Sequence, residues 1–271
     1  MKSDENMNKF DPAVTYSSYL KVEELLQLQS PRSAGPEHDE MLFIIVHQTY
    51  ELWFKCVLHE LSRAQQTLEL GDTYGSLSVL GRVRTIFKVL VSQVDILETM
   101  TPLQFNSFRD RLEAASGFQS VQFRELEAVL GRRDASMVDH LEPNSESHRR
   151  VLSAMNRPAI FDSVLAYLTK HNHKMPQDVM RRDTGQSYQA NELVQESLAN
   201  AYRNDPEAAM LLERLIDIDE GLQEWRYRHV KMVERTIGMK HGTGGSSGAA
   251  YLSSTLFKPV FPDLWAVRSH F

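Results

Sequence analysis

Apolar side chains recur at three- and four-residue steps over two long stretches, and this pattern constrains the fold more than any other feature. Between Asp39 and about Leu70 the stripe runs through Leu42, Phe43, Val46, Tyr50, Trp53, Phe54, Val57 and Leu61, the period of a helix rather than a strand. Ile44, Ile45 and Leu52 predict a second buried side, as expected deep in a bundle. The other stretch opens with Asp205-Pro206-Glu207, which supplies N-cap, first-turn proline and first-turn acid. Leu211, Leu212, Leu215, Ile218, Leu222, Trp225, His229, Met232 and Val233 continue it to Gly238, a C-cap. Further helices are predicted over 77–97, 118–130, 147–169 with a break near Pro158, and from Asn191 onward. The segments 101–117 and 171–188 read as loops. Asn-Gly and Asp-Gly pairs are absent and strand alternation is rare. The prediction is an all-α helical bundle, one domain over residues 1–271.

A chain of 271 residues, 42% apolar and 24% charged, has material for a sizeable core. Acidic residues outnumber basic ones 36 to 30, which argues against a nucleic-acid partner, since such proteins carry a basic face. The single cysteine, Cys56, forms no internal disulfide and suits a reducing compartment. The polar start MKSDENMNKFDPAV lacks the apolar core of a signal peptide, and no uninterrupted apolar run of about 18 residues would span a membrane. The expectation is a soluble, cytoplasmic protein.

Several motifs fail on context. Gly244-Gly245-Ser246-Ser247-Gly248 fits G-x-S-x-G, but a nucleophile elbow needs a preceding strand and the residues before this run read as helix. The run also fails the dinucleotide and P-loop patterns. His171 and His173 lack a third metal ligand nearby, and no H-E-x-x-H occurs. No C-x-x-C-H is present, so any haem would be held without covalent attachment.

Two of the ten histidines lie on apolar helix stripes. His47 follows Phe43 by one turn and precedes Tyr50 and Glu51; His229 lies four residues from both Trp225 and Val233. Each reads either as a satisfied core histidine or as part of one polar cavity shared by two helices. An apolar surround with a neutral imidazole is also what axial ligation of haem iron needs. Arg109, between Phe105 and Gly117, is either an exposed side chain or a planar receptor for a carboxylate. The run from Gly242 to Gly248 is either a plain loop or a lid that orders around a small anionic or zwitterionic ligand, with the Thr243 hydroxyl and backbone N–H groups as contacts.

His38-Asp39-Glu40-Met41-Leu42-Phe43-Ile44-Ile45-Val46-His47-Gln48, with Glu51-Leu52-Trp53-Phe54-Lys55 after it, resembles the signature of the tryptophan 2,3-dioxygenase family. So do Ser116-Gly117-Phe118-Gln119-Ser120, Trp225-Arg226-Tyr227-Arg228-His229 and the Gly242–Gly248 run. The resemblance spans about Thr15 to Arg268, with the motifs in order. It implies an all-helical homotetramer binding haem b non-covalently, ferrous in the active state, that opens the indole ring of L-tryptophan with O2. Carried over by position, it implies His229 as proximal iron ligand and His47 as the distal histidine bonded to the indole N–H. It places Arg109 on the substrate carboxylate, Thr243 on the amino-acid ammonium and carboxylate, Phe43 and Phe105 around the indole, and Ser116 and Gly117 beside the haem at the oxygen site. It implies that an N-terminal arm, residues 1–30, reaches a neighbouring subunit's pocket through Tyr16, Tyr19 and Leu20.

The chain departs from some relatives at Phe105, Ala115 and Val94, and at Arg181-Arg182-Asp183-Thr184-Gly185-Gln186, where many bacterial members continue Arg-Asp-Trp-Thr. These departures bear on substrate identity. They keep open a haem monooxygenase of the same superfamily that makes an oxindole from a methylated tryptophan or an indole. A third reading is a helical module whose histidines are structural.

Overall fold

The computed structural model of the chain describes residues 13–35, 37–244 and 248–271. Among these residues the regular structure is helical and no strand occurs, as the periodicity predicts. The first stripe forms α1 (His38–Leu70). Val46, Tyr50, Phe54, Val57, Leu61, Ala64 and Leu68 are its buried line, at the spacing that keeps side chains on one face. The second buried side does not form: Ile45 and Leu52 are 43% and 52% exposed and Ile44 is half-buried. Neighbouring helices pack along one arc of α1 and leave the other uncovered. By length and composition α1 would suffice to cross a bilayer, although Glu51 and Lys55 interrupt its apolar run.

Helix α2 (Thr73–Leu97) starts earlier than its stripe suggests, because Asp72 accepts from the Gly75 N–H at 2.9 Å and caps it. The segment 101–117 is not a plain loop. It carries α3 (Pro102–Arg109), started by a Thr101/Gln104 capping box with Pro102 in the first turn; eight residues are too few for periodicity to reveal. A single turn at Gly117–Gln119 precedes α4 (Val121–Val129). The predicted 147–169 helix divides around Pro158 into α5 (Glu146–Met155) and α6 (Ile160–Lys170). The 171–188 loop holds one short turn, Gln177–Met180. Helix α7 (Glu192–Asn204) follows its Asn191 cap, and α8 (Pro206–Ile237) runs from Asp205, which accepts from Ala208 N–H, to Gly238 as expected. Two short helices, α9 (Ala249–Ser253) and α10 (Pro262–Ala266), close the chain.

Both α1 and α8 pack along the length of α2 and barely touch one another. A gap therefore opens between them, bridged by α3 and walled on the α1 side by α4. It holds the candidate site.

Before α1, the turns Tyr16–Leu20 and Val22–Leu25 leave Tyr16 and Tyr19 78% and 74% exposed. The following residues are tied to α1: the Glu40 carboxylate accepts from the Arg32 and Ser33 N–H groups at 2.7 and 3.0 Å. The rest of the expected arm, residues 1–12, lies outside the described residues.

The C-terminal segment is fastened to α8 through Asp219, which is fully buried. One oxygen accepts from Val260 N, Phe261 N and Trp265 Nε1 at 3.0, 3.1 and 2.9 Å, and the other from Gln223 Nε2 at 3.1 Å. A buried carboxylate without a cation is tolerable only when its lone pairs are filled in this way. We predict that Asp219→Asn, which turns one acceptor into a donor facing donors, lowers stability by about 1–3 kcal/mol. An unchanged urea midpoint would show that the segment is held by apolar contacts alone.

Candidate functional site

The gap between α1 and α8 is lined by both stripe histidines, by Phe105 and Arg109 of α3, by Ser116 and Gly117, by Phe123, Arg124 and Glu127 of α4, and by Thr243. The structure thus selects the shared-cavity reading of His47 and His229. Phe43, His47, Phe105, Arg109, Ser116, Gly117, Thr243 and His229 all come together there. Tyr16, Tyr19 and Leu20 do not line the cavity of their own chain.

His47 Nδ1 lies 2.7 Å from the Phe43 carbonyl oxygen. A carbonyl only accepts, so Nδ1 carries the hydrogen and Nε2 is left as an acceptor. Burial holds the His47 pKa below the ordinary imidazole value, against the opposing pull of the Phe43 bond and the Glu51 carboxylate. His229 has its pKa brought down to about 4, first by burial and then by His47. Its ring stacks on Trp225, centroids 5.0 Å apart and planes 21° from parallel. Near neutral pH both imidazoles are uncharged.

The cavity's walls are aromatic. On one side Phe43, Phe105 and Phe108 pack at 5.4–5.8 Å between centroids. On the other Phe123 lies 4.9 Å from Trp225 and 5.3 Å from Phe54. Tyr50, between them, donates to the Leu90 carbonyl at 3.0 Å, and burial pushes its pKa up to about 12.

A charged cluster occupies one end, and sequence reading did not anticipate it. The Glu127 carboxylate, 2% exposed, takes Arg124, Arg132 and Arg226 at 2.6, 2.9 and 3.2 Å. Among the described residues Asp134, bound to Arg132, is the one other carboxylate paired with these guanidiniums, so the cluster keeps a surplus positive charge. Arg124 Nε, which is buried, has no hydrogen-bond partner among the described residues. Buried donors without partners mark a place where a further acceptor belongs. The i,i+3 spacing of Arg124 and Glu127 and the Trp225-Arg226 pair were visible in the sequence, but charged helix positions normally face solvent.

At the cavity's rim two distant segments meet. Arg109 Nη2 donates to the His241 carbonyl at 2.7 Å, and Thr243 Oγ1 donates to the Ala115 carbonyl at 2.5 Å. Gly248 has φ +61°, and a Cβ there would stand 2.6 Å from the Lys240 carbonyl oxygen, so only glycine lets the two ends of this loop approach. Residues 245–247, and with them most of the rejected G-x-S-x-G pattern, lie outside the described residues. His173 bonds Asp205 at 3.0 Å and His171 faces the Gly71 carbonyl at 3.2 Å; no metal-binding cluster of acidic, histidine or cysteine side chains occurs among the described residues.

The altered 181–186 loop contributes no residue to the cavity lining. Arg133 Nε holds the Thr184 carbonyl at 2.9 Å and Arg182 covers the Tyr188 ring at 4.8 Å, so that departure bears on packing and not on the site. Val94, Phe105 and Ala115 do line it.

The sequence model of the tryptophan 2,3-dioxygenase family matches residues 1–156 and 200–271. The unmatched stretch contains the altered loop and contributes nothing to the cavity lining. Tryptophan 2,3-dioxygenase of Herpetosiphon aurantiacus is 56% identical over 257 residues, 95% of this chain and 98% of that protein. The enzyme of that name from Anaeromyxobacter dehalogenans is 58% identical over 256 residues, 94% and 96% of the two chains. That from Caulobacter vibrioides is 42% identical over 260 residues, 94% and 98%. With this similarity along nearly its whole length, and with the family's motif residues gathered in one cavity, the chain belongs to the tryptophan 2,3-dioxygenase family.

Proposed function

We propose that the protein is a haem-dependent oxygenase that inserts both atoms of O2 into L-tryptophan, opening the indole C2–C3 bond to give N-formylkynurenine. The observation that carries this is the pairing of two neutral imidazoles, from α1 and α8, across one aromatic cavity with Arg109 and Thr243 at its rim.

The residues present fit a porphyrin. His229 would offer a neutral imidazole nitrogen as iron ligand, and the surplus positive charge with the unpartnered Arg124 Nε suits the porphyrin's carboxylates. Haem b would be held there non-covalently, and in its ferrous state supplies the activation of dioxygen. The chain's own residues bind and orient the substrate. Arg109 keeps guanidinium N–H groups beyond the one given to His241 and pairs with the carboxylate. The Thr243 hydroxyl hydrogen is spent on Ala115, so its oxygen faces a ligand as an acceptor and matches an ammonium group. His47 accepts the indole N–H at Nε2 and needs no charge to do so. Phe43 and Phe105 flank the ring, and Ser116 and Gly117 border the oxygen site. Fixing both ends of the substrate in this way can lower the barrier by several kcal/mol, up to about 7–11 in favourable cases.

The protein is one domain over residues 1–271 and assembles as a homotetramer. In it the arm of residues 1–30 reaches a neighbouring cavity; the exposure of Tyr16, Tyr19 and Leu20 on their own chain supports that placement.

Mass spectrometry of the product from L-tryptophan under air tests the reaction. Gain of two oxygen atoms is expected; gain of one would establish the oxindole-forming alternative in its place. Arg109→Leu should weaken L-tryptophan binding by about 2 kcal/mol, the low end for an unpaired charged partner because the guanidinium is half-buried. An unchanged Michaelis constant would remove Arg109 from the carboxylate site.

A further inference from the structure

The groups assigned to the substrate's α-carboxylate and α-ammonium come from segments more than a hundred residues apart, and a single seam sets the distance between them. Arg109 holds the His241 carbonyl, and Thr243 holds the Ala115 carbonyl. The residue after Thr243 closes the seam. A Cβ at Gly244 would stand 2.6 Å from Ser116 Cβ, 3.2 Å from Ser116 Oγ and 3.6 Å from the Ala114 carbonyl oxygen. Carbon atoms in good contact sit about 3.5–4.0 Å apart, so any side chain at 244 drives the two segments apart. Ser116 cannot yield by changing rotamer, because its Cβ is fixed by the backbone. Its hydroxyl also accepts from the Phe118 N–H at 3.3 Å, starting the Gly117–Gln119 turn.

We propose that Gly244 is a positioning residue for substrate specificity. By lying directly on Ser116 it fixes the Thr243 oxygen at the spacing from Arg109 that an α-amino acid needs, and so favours ligands bearing the α-ammonium group over indole acids that lack it. The inference rests on the proposed function of the cavity. An indole acid without the ammonium offers the Thr243 oxygen no donor, while its carboxylate meets the Arg109 N–H groups not given to His241 and its ring meets the aromatic walls. Loss of the seam is therefore felt by one class of ligand and not by the other.

The test is Gly244→Ala in the haem-loaded protein, titrated with L-tryptophan and with indole-3-propionate and followed by the haem absorption band. The Kd for L-tryptophan is expected to rise about tenfold, the loss of one hydrogen bond to a charged group. That for indole-3-propionate should change by less than about threefold. In a Ser116→Gly background the 2.6 Å contact no longer exists, and the same alanine should cost L-tryptophan less than about threefold. Equal losses for both ligands, or an undiminished loss in the Ser116→Gly background, would overturn the inference while leaving the proposed function intact. If Arg109→Leu also left L-tryptophan binding unchanged, the cavity reading itself would fall, and the inference with it.

Discussion

Replacing His229 by alanine is expected to abolish stable haem binding. The imidazole comes from the C-terminal third of the bundle's last long helix, stacked on Trp225, and its pKa of about 4 keeps a lone pair available near neutral pH. Among the described residues lining the cavity, His47 is the one other imidazole. Its Nδ1 is committed to the Phe43 carbonyl, and its ring is on α1, on the opposite wall. Of the other described lining residues, Tyr50 is committed to Leu90 and held protonated, and Met100 and Met232 would offer weaker thioethers. The measurement is a haem titration of the purified variant, read at the Soret band before and after gel filtration. Loss of the retained haem, with partial recovery on adding free imidazole, is the expected result. Full retention with an unaltered spectrum would show that another side chain ligates the iron. Circular dichroism should show the helices intact, since truncating a ring that faces a cavity disturbs little packing.

How far the sequence revealed this site depends on whether a residue's role lies in a local pattern or in a meeting of distant segments. The stripes around His47 and His229 were legible because 3.6-residue periodicity is local, and each histidine broke its stripe visibly. Ile45 and Leu52 misled because periodicity tells how apolar a face is, not whether a neighbour arrives to cover it. α3 was missed because its buried apolar content is one pair, Phe105 and Phe108, and its capping box is the stronger signal. The Glu127 cluster joins residues up to 99 positions apart, and nothing at either end announces that a charged position turns inward. The rim contacts are as distant and use backbone carbonyls, which the sequence does not distinguish from any others.

That same cluster should make Glu127→Gln the most destabilising of the conservative substitutions. Removing one partner of a buried ion pair leaves its counter-charge uncompensated, at a cost of about 3–5 kcal/mol, and here one carboxylate serves three guanidiniums. Burial by itself would raise the Glu127 pKa, but Arg124, Arg132 and Arg226 together outweigh it and hold the carboxyl below its ordinary value. A depressed folded-state pKa contributes stability that is present above the unfolded carboxylate value, about 4.3, and is lost as pH falls through the folded value. The deficit of the glutamine variant, measured by urea unfolding of haem-free protein, should therefore be full at pH 7 and shrink below about pH 4. Haem should change the comparison in a particular direction. If the porphyrin carboxylates sit at Arg124 and its neighbours, they supply the negative charge that the variant lacks, so haem should stabilise the variant more than the wild type. An equal deficit with and without haem would place those carboxylates elsewhere in the cavity. A deficit under about 1 kcal/mol, the scale of an exposed pair, would mean that the cluster is solvated and that Arg124 Nε is satisfied by water.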